Sequence, residues 1–119
     1  MSTDRTFYTK QSVTRTETGI KAELTFHAEH ELYKGHFPGN PITPGVCLVQ
    51  SINDLVEDHF DGARIKEVRK CKFTAIHNPN VVPNVLAIIN VKQVDGQLKA
   101  SCVIEHEAQV YVKYQGTFS

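Results

Sequence analysis

Gly35-His36-Phe37-Pro38-Gly39-Asn40-Pro41-Ile42-Thr43-Pro44-Gly45 runs straight into an apolar, helix-like segment that begins at Val46. Pro38, Pro41 and Pro44 each hold their own φ and push the preceding residue out of the helical region. A loop so constrained loses little conformational entropy on folding, and it ends at a helix N-terminus. It therefore suits holding one side chain, His36, and a bound carbonyl in register. A rigid connector would carry the same Pro and Gly punctuation.

Outward from this loop the chain reads as β-rich with one main helix. Residues 7–17 and 20–28 are strand-like and meet at Thr18-Gly19, a hairpin signal. In the second run Ile20, Ala22, Leu24 and Phe26 alternate with Lys21, Glu23 and Thr25, giving one apolar face. Beyond the loop, Val49, Ile52, Val56 and Phe60 fall at helical spacing, with Leu48 and Leu55 widening the stripe. Gly62 suits a helix stop. Residues 65–73, 85–93, 97–106 and 108–118 read as further strands, with Asp95-Gly96 as a tight hairpin turn. One helix among so many strands lacks the alternation of βαβ units. The expected class is α+β, an antiparallel sheet curled around a central helix.

Composition fits one domain spanning residues 1–119. Thirteen basic and thirteen acidic residues give a formal charge of zero, so no strong field for nucleic acid or an anionic membrane is expected. Cys47, Cys71 and Cys102 are odd in number and form no CxxC, which points to buried, reduced thiols in a cytoplasmic protein. The polar start, Met1 to Lys10, does not resemble a signal peptide. No apolar run approaches the roughly twenty residues of a membrane span.

The stretch from His36 through Val46 resembles the signature of the beta-hydroxyacyl-acyl-carrier-protein dehydratases of fatty-acid synthesis, the FabA/FabZ-like group. The resemblance is dense there and thinner through the helix, Lys72-Phe73 and the C-terminal strands. It implies a hotdog fold, with the helix as core of a curved antiparallel sheet. It also implies an acyl chain carried on the phosphopantetheine of an acyl carrier protein, and no separate cofactor. Family members form dimers whose sheets continue across the interface, so a homodimer, a larger oligomer or a heterodimer with a second hotdog subunit is expected. Exposed strand edges would need such cover in any case.

Dehydrating a 3-hydroxyacyl thioester requires a base for the α-proton, an acid for the departing hydroxyl and donors for the thioester carbonyl. The resemblance makes His36 the base, and a histidine suits this role because its ordinary pKa lies near working pH. It places the Gly45 N–H, at the positive end of the helix, on the carbonyl. Val46, Phe37 and Tyr33 become candidate substrate contacts, although core packing explains the aromatic pair equally well.

The chain departs from the family pattern on the helix. Fourteen residues after the motif histidine, where the family carries a catalytic Glu or Asp, stands Gln50. An amide cannot lose a proton and only donates or accepts hydrogen bonds. One turn further, where many members carry glutamine, stands Asp54. The pair at i and i+4 shares one helix face, so amide and carboxylate are both present but exchanged. Three functions follow. Asp54 could act as the acid with Gln50 orienting the hydroxyl, the offset of about 6 Å along the helix being bridged by substrate or water. The chain could instead be an acyl-binding subunit that is inactive or needs a partner. It could also be a hotdog thioesterase. Alternatively Asp54 belongs to a solvated stripe with Asn53, Glu57 and Asp58.

Other candidates carry less. Cys47 reads as packing rather than as a nucleophile. His27 and His30 flank Glu29, but strand spacing would place them on opposite faces, so no metal site is expected. His77-Asn78-Pro79-Asn80 reads as the turn after the Lys-Phe strand. His59 and His106 have no identified partners.

Overall fold

The computed structural model describes residues 6–34 and 41–119. His36 and Phe37 lie outside the described residues. Strands β1 (Tyr8–Arg15) and β2 (Gly19–Phe26) form the first hairpin. A short 3-10 turn (Glu31–Tyr33) follows, then helix α1 (Gly45–His59), and then β3 (Ile65–Phe73), β4 (Asn84–Val94), β5 (Gln97–His106) and β6 (Gln109–Phe118). All six strands belong to one antiparallel sheet in the order β1-β2-β4-β5-β6-β3.

The order follows from where the chain can return. The β4–β5 turn is tight because Asp95 and Gly96 both take positive φ (51° and 77°), the backbone that twists with the flanking strands. β3 leaves the helix and pairs with β6, so the two edges of the sheet are β1 and β3. Alternation carries Ile20, Ala22, Leu24, Phe26, Val85, Ala87, Ile89, Ile104, Val112 and Phe118 to one face. Leu48, Ile52, Leu55 and Val56 of α1 bury against that face. The helix stops where Phe60 turns extended, its N–H bonding Val56 O at 3.0 Å, and Gly62 follows at φ 74°.

The expected elements are present within one or two residues at each end, which is ordinary fraying. Two expectations need correction. The thiols are not uniformly buried: Cys71 is exposed on the edge strand β3, Cys47 is half-buried and Cys102 is buried, all unpaired. His27 and His30 do not occupy strand positions; they follow β2, and both ring Nε2 atoms reach β1-side hydroxyls, of Thr9 (2.6 Å) and Thr6 (2.9 Å) respectively. His30 Nδ1 accepts from Leu32 N at 3.0 Å and so caps the 3-10 turn.

Candidate functional site

Helix α1 begins with no side-chain cap, Pro44 standing at the cap position. Neither the Gly45 nor the Val46 N–H meets an acceptor among the described residues. The first turn thus keeps donors and the positive end of the helix dipole available. Val46 is exposed there. Gly45 is overlain by the ring of Phe73 at the end of β3: a Cβ on Gly45 would come within 2.5–2.9 Å of the ring atoms. The glycine therefore permits a close approach between the helix start and an aromatic ring that is itself half exposed (50%).

Further along the helix lie Gln50 and Asp54, one turn apart on one side and both buried (6% and 7% exposed). Tyr8 of β1 donates its hydroxyl to Asp54 Oδ2 at 2.8 Å. On the adjoining flank Asn53 (3% exposed) accepts from the Tyr114 hydroxyl of β6 through Oδ1, while its Nδ2 is buried without a partner. Two tyrosines from different strands thus grip neighbouring polar residues of one helix. The reading of Asn53 and Asp54 as part of a solvated stripe is corrected: only the outer members face water. Asp58 pairs with Lys10 at 3.1 Å on the surface, and Glu57 Oε2 accepts from Ile65 N at 2.8 Å, tying the start of β3 to the helix.

A second buried network braces the loop just before the helix. Tyr33 OH lies 2.8 Å from Thr43 Oγ1, which lies 2.7 Å from His77 Nδ1, while His77 Nε2 lies 2.7 Å from Val82 O. A carbonyl only accepts, so Nε2 carries the proton and Nδ1 accepts from Thr43; the Tyr33 hydroxyl then donates to Thr43. Thr43 N also donates to His77 O at 2.9 Å. The imidazole is 1% exposed, with Phe26 and Tyr111 each edge-on at 5.1 Å. Burial holds its pKa below the ordinary histidine value, outweighing the opposing hydrogen bond to Val82, consistent with the neutral tautomer. Burial likewise pushes the Tyr33 phenol up to about 12, so it serves as a neutral donor.

The structure therefore brings together Gly45, Val46, Gln50 and Asp54 on one helix. Tyr33 sits in the buried brace. His36 and Phe37 lie outside the described residues. Cys47 is half-buried and burial raises its pKa, which keeps it a thiol and a poor nucleophile. Sequence reading missed Tyr8 and Tyr114, and it gave Thr43 and His77 loop places without the bond that joins them. Thr43 and His77 are 34 residues apart, and no local pattern signals such a pair. Among the described residues no helix is long and apolar enough to cross a membrane.

The sequence model of the ApeI-like family, described as ApeI dehydratase, matches residues 11–115. The chain belongs to the ApeI-like dehydratase family. Curated relatives include the 3-hydroxyacyl-acyl-carrier-protein dehydratases FabZ of Lactobacillus helveticus (30% identical, 74% of this chain and 64% of the relative) and Enterococcus faecalis (34% identical, 63% and 58%). The chain thus spans less than two thirds of the length of these relatives. Among solved structures, the dehydratase heterocomplex ApeI:P from Xenorhabdus doucetiae superposes with a TM-score of 0.74 at 16% identity, covering 92% of this chain and 96% of that one. An uncharacterised protein from Erwinia carotovora subsp. atroseptica gives 0.60 at 17% identity, covering 93% and 90%. At these identities the likeness speaks to fold, and the shared fold is the expected hotdog.

Proposed function

We propose that the chain is a 3-hydroxyacyl-acyl-carrier-protein dehydratase-like lyase, acting on an acyl chain presented on a phosphopantetheine arm. His36 takes the α-proton, and the Gly45 N–H stabilises charge developing on the thioester oxygen. As the carbon–oxygen bond at C3 breaks, Asp54 delivers a proton, directly or through a water, and the hydroxyl leaves as water. Gln50, one turn earlier, orients that hydroxyl by hydrogen bonding. Proton transfers alone complete the elimination, so no cofactor is needed. Val46, Phe37 and Tyr33 border the acyl group.

One observation carries this reading. The exchanged carboxylate is buried and oriented by Tyr8 instead of facing solvent. A displaced carboxylate held in place by a tyrosine suits proton transfer at a fixed point; a solvated surface aspartate does not.

A second reading is favoured by the heterocomplex formed by the ApeI:P dehydratase: the chain works as one subunit of a mixed hotdog pair. The β3 edge, with Val68 and Phe73 exposed, supports association with a second subunit, identical or not. On either reading residues 1–119 act as a single domain in the cytoplasm.

The test is turnover of a 3-hydroxyacyl carrier protein by the purified chain. Enoyl product that disappears in His36→Ala supports the lyase. No turnover by wild type, with activity appearing in Gln50→Glu or on adding a second hotdog subunit, moves the assignment to the paired subunit. Release of free acid makes it a thioesterase.

A further inference from the structure

The zero net charge conceals an uneven distribution of charge along the sheet. Strand register sets Asn90, Ser101, Gln115 and Lys70 in one cross-strand row and Lys92, Lys99, Thr117 and Glu67 in another. Their neighbours in sequence, Ala100 and Gly116, are buried toward the helix side, so these rows occupy the opposite face of the sheet. Lys72 and Lys113 pair across β3 and β6 on the same face.

An open cavity of about 550 Å³ lies on this face, with Arg69, Lys92, Lys99, Asn90, Ser101 and Gln115 in its lining. Its size falls in the range of small-molecule sites, and the sheet separates it from Asp54 and Gln50. Lys92 and Lys99 are direct cross-strand partners. Like charges so placed destabilise a sheet, and among the described residues neither lysine pairs with a carboxylate. Arg69 meets Glu67 only at 3.9 Å, with both side chains more than half exposed. The Thr18 hydroxyl donates to Asn90 Oδ1 at 2.6 Å, which fixes the amide and leaves its N–H groups for a ligand.

We propose that this cavity binds a small molecule bearing a phosphoryl group, a phosphate monoester or a diphosphate. Lys92, Lys99 and Arg69 neutralise the phosphoryl oxygens, and Asn90, Ser101 and Gln115 donate to the uncharged remainder. Lys92 and Lys99 bring two positive charges that no carboxylate among the described residues answers, and Arg69 is only loosely paired with Glu67. The cavity therefore suits a ligand with about two negative charges, which one carboxylate does not carry and a phosphate monoester approaches at neutral pH. The planar guanidinium of Arg69 matches two phosphoryl oxygens at once. This site is independent of the proposed dehydratase chemistry.

The test is a titration of the isotope-labelled full chain with pyrophosphate at low salt, following backbone amide resonances, with acetate at matched ionic strength as control. Saturating shifts confined to the amides around Lys92, Lys99 and Gln115, weakened about tenfold or more in Lys92→Gln/Lys99→Gln, are expected. Pyrophosphate should raise the Tm of wild type and leave that of the double variant unmoved. Methyl phosphate and free 4′-phosphopantetheine run as separate arms. Similar binding of the two shows that the phosphoryl group alone is recognised, and tighter binding of the second shows that the polar remainder is read by Asn90, Ser101 and Gln115 as well. No saturable shift at millimolar pyrophosphate, equal shifts with acetate, or unchanged affinity in the double variant would overturn the proposal.

Discussion

Tyr8, on the first strand, donates a 2.8 Å hydrogen bond to Oδ2 of Asp54, 46 residues later on the helix. The bond links the edge strand β1 to the helix face that carries Gln50, and it sets the direction of a carboxylate buried beside the core. Tyr8→Phe removes the donor while keeping the ring, which stacks on Phe26 at 5.9 Å. The expected result is a loss of about 1–3 kcal/mol in denaturant unfolding, together with a fall in kcat larger than any rise in KM. A change in KM alone would assign Tyr8 a packing role.

Gly45 and Phe73 form a second coupled pair. Gly45→Ala puts a methyl against the Phe73 ring, and because that ring is half exposed it can swing away. The single variant should lose about 1 kcal/mol, at the low end of overpacking costs. In Gly45→Ala/Phe73→Ala much of that loss should vanish. A double-mutant cycle by chemical denaturation measures the coupling, and strict additivity would show that the ring does not rest on the glycine.

Asn53 and Tyr114 offer a contrast between breaking and replacing a buried polar pair. Tyr114→Phe leaves the Asn53 oxygen unpaired beside an amide nitrogen that already has no partner, and should cost about 1–3 kcal/mol. Adding Asn53→Leu removes both orphaned atoms and should restore most of the stability. Equilibrium unfolding of the three variants decides the sign.

His77 makes stability depend on pH. Its folded pKa is lowered by burial, so the native state resists protonation while the unfolded chain titrates near its ordinary value of about 6.5. Between the two values the unfolded state binds more protons, and stability rises with pH there. The contribution is complete above about pH 6.5 and is lost progressively as pH falls from there through the lower folded value. His59, whose pKa is lowered chiefly by burial and then by Lys10, acts in the same direction. The fall in Tm between about pH 7 and pH 5 should be shallower in His77→Gln than in wild type. Equal slopes would refute the buried neutral imidazole.

The strands and helix were legible because their signals are local. Alternation in Ile20–Phe26, the stripe from Leu48 to Val56 and the Asp95-Gly96 turn each specify an element from adjacent residues. The joining of β3 to β6 at the far edge depends on long-range pairing, and no short window contains it. The same division holds at the site. Gln50 and Asp54 stand one turn apart on a single helix and could be paired by counting. Their burial depends on distant residues such as Tyr8, and the brace from Tyr33 to His77 spans three separate segments. The cationic cavity was hidden for a related reason: a balanced charge total carries no information about which face each lysine takes.

The most direct measurement compares enoyl formation from a 3-hydroxyacyl carrier protein by wild type and Asp54→Asn, with the fold of the variant checked by its Tm. If Asp54 supplies the acid displaced from position 50, wild type forms enoyl product and the variant falls by about 100-fold or more. An Asp54→Asn protein that stays folded and turns over as fast as wild type would contradict the account.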